Sequence, residues 1–333
     1  MPKPLTIALD AMGGDAGPAV SVPAGLAMLD GNPDLNIVLV GQREALEARI
    51  SQPHPRLRLV DAREIVTMDE KPGDALRKKK DSSLRVAINL VKDATADACV
   101  SAGNTGALMA TGKFVLKTLP GIDRPAIMAA IPTITGQTHM LDLGANSDCT
   151  ADHLFQFAVM GSVVSSVIES IPNPRVALLN IGEEEIKGND TIRQAHAMLS
   201  ASSLNYVGFI EGDQVGQHRA DVIVCDGFSG NVALKVMEGT ASLVSHYIKH
   251  GFRSGLYGRF AGLVALPVLN SLRDALDPRR YNGASFLGLN GIVVKSHGGA
   301  DTVAFQQAIR VAMLEVEKSV PETINRMLSA QTN

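Results

Sequence analysis

What is scarce in this chain narrows its chemistry. Trp is absent and aromatic residues make up 4% of its 333 residues, so a platform for stacking nucleic-acid bases is not expected. An excess of one charge sign is also lacking. A formal net charge of −3 leaves no whole-molecule field to draw the chain to nucleic acid. The three cysteines, Cys99, Cys149 and Cys225, are far apart and form no CxxC pair. Neither a disulfide framework nor a structural zinc site is indicated. No apolar run of 18 residues stands out, so no membrane span is expected. The N-terminus, Met1-Pro-Lys-Pro-Leu, leads straight into a strand-like run without a signal-peptide pattern. The default expectation is a soluble cytoplasmic protein.

Several motifs are missing as well. The first glycine loop, Gly13-Gly-Asp-Ala-Gly17, has the wrong spacing for GxGxxG, and the chain contains no GxxxxGK[ST], HExxH or GxSxG. A P-loop kinase, a metalloprotease helix and an α/β-hydrolase serine are thereby set aside.

What is present is 45% apolar residues, enough to fill a sizeable core. Apolar runs at 5–9, 36–40, 57–60, 98–100, 126–131, 139–143, 175–181, 207–211, 221–225 and 291–294 predict strands. Stretches at 19–29, 43–50, 84–92, 108–117, 151–170, 191–201 and 301–317, and a long one from 226, predict helices. Their alternation predicts βαβ units, a mainly parallel sheet and an α/β fold. The length suits one large unit or two smaller domains. We read residues 1–333 as a single unit, with 240–282 as a helical hairpin excursion.

The stretch Ser101-Ala-Gly-Asn-Thr-Gly-Ala107 follows one of these strands and opens a helix. Such a turn aims backbone N–H groups and a helix dipole at one point, which suits an anion. The simpler alternative is a capped helix. Four other strand ends carry similar loops, at 10–15, 142–146, 226–231 and 295–299. In a parallel sheet the carboxyl ends share one edge and ligands bind in the crevice there. The five loops therefore predict one shared site.

Within these loops Asp10 can orient a ligand or a lysine, or cap its own loop, and Asp142 and Asn146 face the same choice. Asp226 and Asn231 open the long helix. Lys235, one turn in, points back toward the helix start and can charge a phosphate site or simply be solvated. Lys295 and His297 follow the last strand. Cys225 ends an apolar run and is expected to be buried rather than nucleophilic. Lys71, Arg77, Lys78, Lys79, Lys80 and Arg85 form a basic cluster, either a solvated face or a contact for phosphate or an acidic partner. Residues 251–282 mix glycines and apolar side chains with Arg253, Arg259, Arg273, Arg279 and Arg280. That pattern fits a hairpin in a dimer interface, or a surface meeting a membrane or an acidic partner.

Taken together, Asp10-Ala-Met-Gly-Gly-Asp, Ser101-Ala-Gly-Asn-Thr-Gly, Asp142-Leu-Gly-Ala-Asn, Gly182-Glu-Glu-Glu with Lys187-Gly, and Asp226-Gly-Phe-Ser-Gly-Asn-Val resemble the bacterial phosphate acyltransferase family. The run Arg77-Lys-Lys-Lys-Asp-Ser-Ser83, and Gly288-Leu-Asn-Gly291 with Lys295 and His297, resemble it too. The resemblance implies a three-layer α/β/α fold, similar to phosphate acetyltransferases and isocitrate/isopropylmalate dehydrogenases. It implies transfer of an acyl group from acyl-[acyl carrier protein] to inorganic phosphate, with the acyl phosphate passing to a membrane glycerol-3-phosphate acyltransferase. It further implies a homodimer, peripheral contact with the inner face of the cell membrane, and no metal or cofactor.

On this chain the expected phosphate and substrate residues are Asp10, Gly13, Gly14, Ser101, Gly103, Asn104, Thr105, Gly106, Asp142, Asn146, Lys187, Asp226 and Gly230. Lys295 or Lys235 would add charge, Asn231 would stabilise the oxyanion, and His297 would protonate the leaving thiolate. Arg77, Lys79, Arg253, Leu256, Arg259, Phe260 and Leu263 would meet the carrier or the membrane.

Overall fold

Side chains alternate along the strands, and the alternation divides the core between two faces of one sheet. Cys99 lies in one cluster, while its neighbours Ala98 and Val100 lie in another. The computed structural model describes residues 4–275 and 277–331. The single-unit reading also includes residues 1–3, 276 and 332–333, and the hairpin reading includes 276; these lie outside the described residues, as does the side chain of Arg273.

Eleven strands form one sheet: β1 (Leu5–Asp10), β2 (Leu35–Gly41), β3 (Leu57–Asp61), β4 (Ala98–Ser101), β5 (Ala126–Thr133), β6 (Gly136–Leu141), β7 (Val176–Leu179), β8 (Tyr206–Ile210), β9 (Val222–Val224), β10 (Ala284–Leu287) and β11 (Ile292–Lys295). Their order is β3-β2-β1-β4-β11-β10-β5-β6-β9-β7-β8.

Helices cover both faces. On one lie α4 (Ser83–Lys92), α5 (Thr105–Leu116) and the start of α8 (Gly227–Arg253). On the other, α1 (Pro18–Gly31) and α10 (Thr302–Glu317) pack on one half of the sheet. There α6 (Ala151–Ile168), α7 (Asp190–Ser200) and α11 (Val320–Gln331) pack on the other half. This is an α/β fold with three layers.

The sheet is mainly parallel, but three pairings at its centre are not. β10 runs antiparallel to both β11 and β5, and β5 runs antiparallel to β6. Three reversals turn β6, β9, β7 and β8 against β1, β4 and β11. The carboxyl ends of β6 and β9 therefore lie at the opposite edge from those of β1, β4 and β11. This corrects the expectation that all five loops share one edge. The net reversal comes from the β5–β6 hairpin, because the two antiparallel pairings of β10 cancel and leave β5 running the same way as β11. β10, a four-residue strand, is absent from the predicted set and too short to show a period. Also absent from that set are α3 (Pro72–Lys78), inside the polar basic stretch, and α11.

By length and composition α6 is apolar enough to cross a membrane, but 67% of its span is buried inside the fold. The expectation of no such apolar stretch is corrected; the helix is a core element.

The long helix α8 and its partner α9 (Gly255–Ala275) form the predicted hairpin. Both carry large apolar side chains in the open. Val236, Tyr247, Leu256, Tyr257, Phe260, Leu263 and Val264 are all exposed.

Candidate functional site

At the first edge, three neighbouring strands put three polar residues side by side. Asp10 of β1 is in register with Ser101 of β4, which is in register with Lys295 of β11. All three are buried. The Ser101 hydroxyl donates to Asp10 Oδ2 at 2.6 Å and accepts from the Gly103 N–H at 3.0 Å. Asp10 Oδ1 is buried without a hydrogen bond. Burial raises the Asp10 pKa against the nearby Ser101 and Ser83 hydroxyls and the Met12 and Gly13 N–H groups.

Lys295 Nζ donates to the carbonyls of Ala102, at 3.3 Å, and Ser296. Burial pulls its pKa down to about 8, with Asp10 and Asp15 acting in the opposite direction. The loops here are tight: a Cβ on Gly13 would stand 2.6 Å from Asp10 Oδ2. Gly14 and Gly103 lie in the same cluster, and His297 is exposed, with its ring Nδ1 accepting from the Gly299 N–H.

The expectation that Ser101 and Asn104 offer free side-chain donors to phosphate is corrected. Ser101 is held by Asp10. Asn104 Oδ1 caps α5 through the Ala107 N–H at 2.9 Å, and its Nδ2 donates to the carbonyls of Thr67, Met68 and Glu70. Each hydrogen-bonding group on this amide has an internal partner. What remains open at the turn is the exposed Thr105 and the first N–H groups of the helix at Thr105 and Gly106, which no intrahelical carbonyl can reach. We expect Asn104→Ala to cost about 2–3 kcal/mol of stability, from a lost cap and lost buried acceptor contacts. The phosphate KM should change less than about twofold, since only structural bonds are lost. Urea denaturation and phosphate titration check both. A large rise in phosphate KM at unchanged stability would restore the cradle reading.

Lys79 is also a structural pin. Its Nζ donates to Ile65 O and Glu70 Oε2, both at 2.6 Å, which corrects its assignment to a carrier surface. Arg77 is exposed and pairs with Asp74 at 3.3 Å.

At the other edge Asp142 follows β6. Its carboxylate accepts from the backbone N–H groups of Ile127, Ala145 and Asn146 and from Asn146 Nδ2. Asn146 Nδ2 also donates to Pro125 O, and Asn146 O accepts from the Gly227 N–H at 2.7 Å. Asp142 and Asn146 thus shape the loop rather than project into it. Asp226 caps α8 through Ser229, by backbone and hydroxyl. Gly230 has no room for a side chain, since a Cβ would fall 1.9 Å from Asp142 O. Asn231 is exposed beside Gly144, its Cγ 3.5 Å from where a Cβ on that glycine would be.

A cavity of about 530 Å³ opens at this edge, lined by Ser147–Cys149 with Leu154, by Asn189, Thr191 and Ile192, and by Asp226, Phe228 and Ser229. These three groups are the N-terminal ends of α6, α7 and α8. Three helix dipoles converge there, an arrangement that favours an anion, although the N–H groups of His153, Ile192 and Ser229 are taken by the Thr150, Asn189 and Asp226 caps and that of Gly227 by Asn146 O. The loop bearing the exposed Lys187 runs directly into the α7 cap at Asn189 and is folded by Asn180, whose Nδ2 donates to Gly182 O. Lys235 is exposed one turn beyond Asn231.

Thr191, Phe228 and Cys149 are cavity residues that the sequence does not single out; position after a strand end was the available signal for Phe228 and Cys149. Burial, with Asp142 and Asp226, pushes the Cys149 thiol up to about 11, so it stays protonated at neutral pH. Cys225 is buried, as its position in an apolar run predicts, and burial likewise raises its thiol pKa. Among the described residues no three His, Cys, Asp or Glu side chains cluster as a metal site.

Ser101 and Asp226 are five strands apart in the sheet order, roughly 24 Å at about 4.8 Å a strand. One small anion cannot touch both. The structure brings together Asp10, Gly13, Gly14, Ser101, Gly103, Lys295 and the Gly298 loop at one edge. It brings together Asp142, Asn146, Asp226, Gly230 and Asn231 at the other.

The chain matches the family described as "Fatty acid synthesis protein" over residues 5–323. It is 61% identical over 334 residues to the phosphate acyltransferase of Alkalilimnicola ehrlichii, covering 99% of this chain and 98% of that one. It is 58% identical over 328 residues to the phosphate acyltransferase of Methylococcus capsulatus, covering 97% of each. In fold it is similar to a phosphotransacetylase from Streptococcus pyogenes, with TM-score 0.62 and 18% identity over 95% of both chains. It is likewise similar to a branched-chain phosphotransacylase from Enterococcus faecalis, with TM-score 0.59 and 13% identity over 94% of this chain and 99% of that one.

Proposed function

The chain belongs to the phosphate acyltransferase family and is an acyltransferase, and from that premise we propose that it moves a fatty acyl group from acyl-[acyl carrier protein] to inorganic phosphate. The products are acyl phosphate and free carrier, and the acyl phosphate would feed phosphatidic acid synthesis through a membrane glycerol-3-phosphate acyltransferase. The observation that carries this reading is the cavity at the three helix N-termini. A phosphate nucleophile needs a site that binds it without neutralising it. Backbone N–H groups do that better than a ring of cations.

In this reading phosphate sits against the first turns of α7 and α8. One of its oxygens attacks the thioester carbonyl, a C–O bond forms, and the C–S bond breaks to release the carrier thiolate. Asn231 donates to the oxyanion, and Lys187 and Lys235 add positive charge. In this reading attack is direct: burial and the nearby Asp142 and Asp226 carboxylates hold the Cys149 and Cys225 thiols up, which disfavours a thiolate nucleophile. Lys295 and its partners at the far edge, with His297, hold a more distant part of the extended acyl-carrier substrate. If the charge of Lys295 serves that binding, kcat/KM falls as pH rises through about 8. A flat profile from pH 7 to 9 removes Lys295 from the machinery.

The exposed apolar hairpin supports a homodimer and peripheral contact with the inner face of the cell membrane. Arg253, Leu256, Arg259, Phe260 and Leu263 lie on it.

The test is incubation with acyl-carrier protein, with and without phosphate, trapping acyl phosphate as hydroxamate. Phosphate-dependent hydroxamate is expected, and its absence rejects the proposal. A larger kcat/KM with acyl-CoA of matched chain length would favour a CoA-dependent phosphotransacylase instead.

A further inference from the structure

On the proposed reaction the acyl donor is carried by a macromolecule, so a docking surface should adjoin the cavity. The far end of α5 carries one. Phe114 is 53% exposed, an unusual position for one of only nine phenylalanines in the chain. Two cations flank its ring: Arg85 of α4 with its guanidinium carbon 5.1 Å from the centroid, and Lys117 with its ammonium at 4.9 Å. Lys113, one residue before Phe114 and one helical turn before Lys117, donates to the backbone carbonyl of Asp123 at 3.3 Å. Arg124, next in the chain, donates to the backbone carbonyl of Asp148 at 3.2 Å, and Asp148 lines the cavity. Arg85, Lys113 and Lys117 therefore contact rings and carbonyls, and none of them forms an ion pair with a carboxylate among the described residues. A neighbouring acid, Asp123, is turned to Gln156, whose Nε2 donates to its carboxylate at 2.8 Å.

We propose that the Phe114 ring with Arg85, Lys113, Lys117 and Arg124 is the docking surface for the acidic acyl carrier protein, and that it leads the carrier's acyl arm along the 119–125 loop into the cavity.

The cations match an acidic partner in sign, and unpaired exposed cations mainly raise the association rate and set orientation. The aromatic ring supplies the apolar centre that a polar rim needs. α5 is the physical link, because its start forms the turn at one edge of the sheet and its end delivers this patch to the edge that holds the cavity. The hairpin arginines, Arg253 and Arg259, lie on a different element and are left to dimer or membrane contacts.

This inference rests on the acyl-carrier reading, so its test separates the two. Binding of the unacylated carrier is measured by titration, independently of turnover, for the wild type, for Lys113→Glu with Lys117→Glu, and for Arg253→Glu with Arg259→Glu. The Lys113/Lys117 pair should weaken carrier binding about tenfold or more and raise the carrier KM in step, with added salt weakening the wild type toward the variant. Turnover of acyl-CoA of the same chain length should change less than about twofold. Lys113→Gln with Lys117→Gln should fall between. If wild type binds the carrier but makes no acyl phosphate, the reaction is wrong and the surface stands. Unchanged carrier binding in the Lys113/Lys117 pair overturns the surface, as does a loss confined to the Arg253/Arg259 pair. Weaker binding to anionic lipid vesicles with carrier binding intact makes the patch a lipid surface, and also overturns it.

Discussion

Replacing Asp142 with alanine should cost about 4 kcal/mol or more of stability and remove nearly all activity. The carboxylate collects four donors: the N–H groups of Ile127 at 2.9 Å, Ala145 at 3.0 Å and Asn146 at 2.6 Å, and the Asn146 amide at 2.9 Å. The residue is fully buried, so water cannot replace what alanine removes. Each stranded buried donor costs about 1–3 kcal/mol. Burial alone raises the Asp142 pKa, and the donors from Ile127, Ala145 and Asn146 pull it back.

The loss would spread to the cavity. Asn146 is held by Asp142 on one side and receives the Gly227 N–H on the other, so releasing it loosens both the 147–149 wall and the start of α8. Gly230→Ala should act at the same place, because its Cβ has no room beside Asp142 O. Urea denaturation with parallel activity assays checks this. A stability within about 1 kcal/mol of wild type would mean that the loop re-pairs its donors elsewhere.

Replacing Glu315 with glutamine should make the protein more stable in mild base. Glu315 lies fully buried under the sheet and accepts a hydrogen bond from Ser285 of β10. Burial lifts its pKa from an ordinary 4.5 to about 7, against the Ser285 hydroxyl. A carboxyl whose pKa rises on folding stabilises the fold fully below its unfolded pKa. It loses that contribution as pH rises through the folded one. The wild type should therefore lose stability between about pH 4.5 and 7 from this group, reaching a deficit of roughly 3 kcal/mol above pH 8. Glutamine keeps the shape and still accepts from Ser285 but cannot ionise. Near pH 5 the two proteins should unfold at similar urea concentrations, and at pH 8.5 the variant should need more. Parallel stability curves across that range would show that Glu315 stays neutral or finds another partner when charged.

The local readings transfer well where a residue's role is set by its neighbours in sequence. The strand before Ser101 and the helix after it are found as read, with Asn104 as the cap that the bland reading of that turn requires. Cys225 is buried, as its place at the end of an apolar run indicates. Residues 251–282, read as a hairpin, hold the end of α8, the whole of α9 and a short turn, and the hairpin itself is α8 with α9, with exposed apolar side chains on both. The roles of Asn104 and Lys79 beyond this were illegible, because the Asn104 amide donates to the carbonyls of Thr67, Met68 and Glu70, more than thirty residues away, and Lys79 reaches across the loop to the Ile65 carbonyl and the Glu70 carboxylate.

The chain by itself determined the α/β class, the positions of most elements, and a set of polar glycine loops at strand ends, since each depends on side-chain period and turn chemistry within a short window. The tertiary structure decided how those loops are shared out. A strand's direction relative to distant strands leaves no local trace, and β10 has only four residues in which to show itself. The antiparallel β5–β6 pairing reverses half of the sheet, sends Asp142 and Asp226 to the edge away from Ser101 and Lys295, and brings the starts of α6, α7 and α8 together around one cavity. Ser101 to Ala107 remains a strand-to-helix turn, but the side chains of Ser101 and Asn104 are engaged in holding the fold. The proposed place for an anion is formed by three helix ends that are distant in sequence and adjacent only once the sheet has formed.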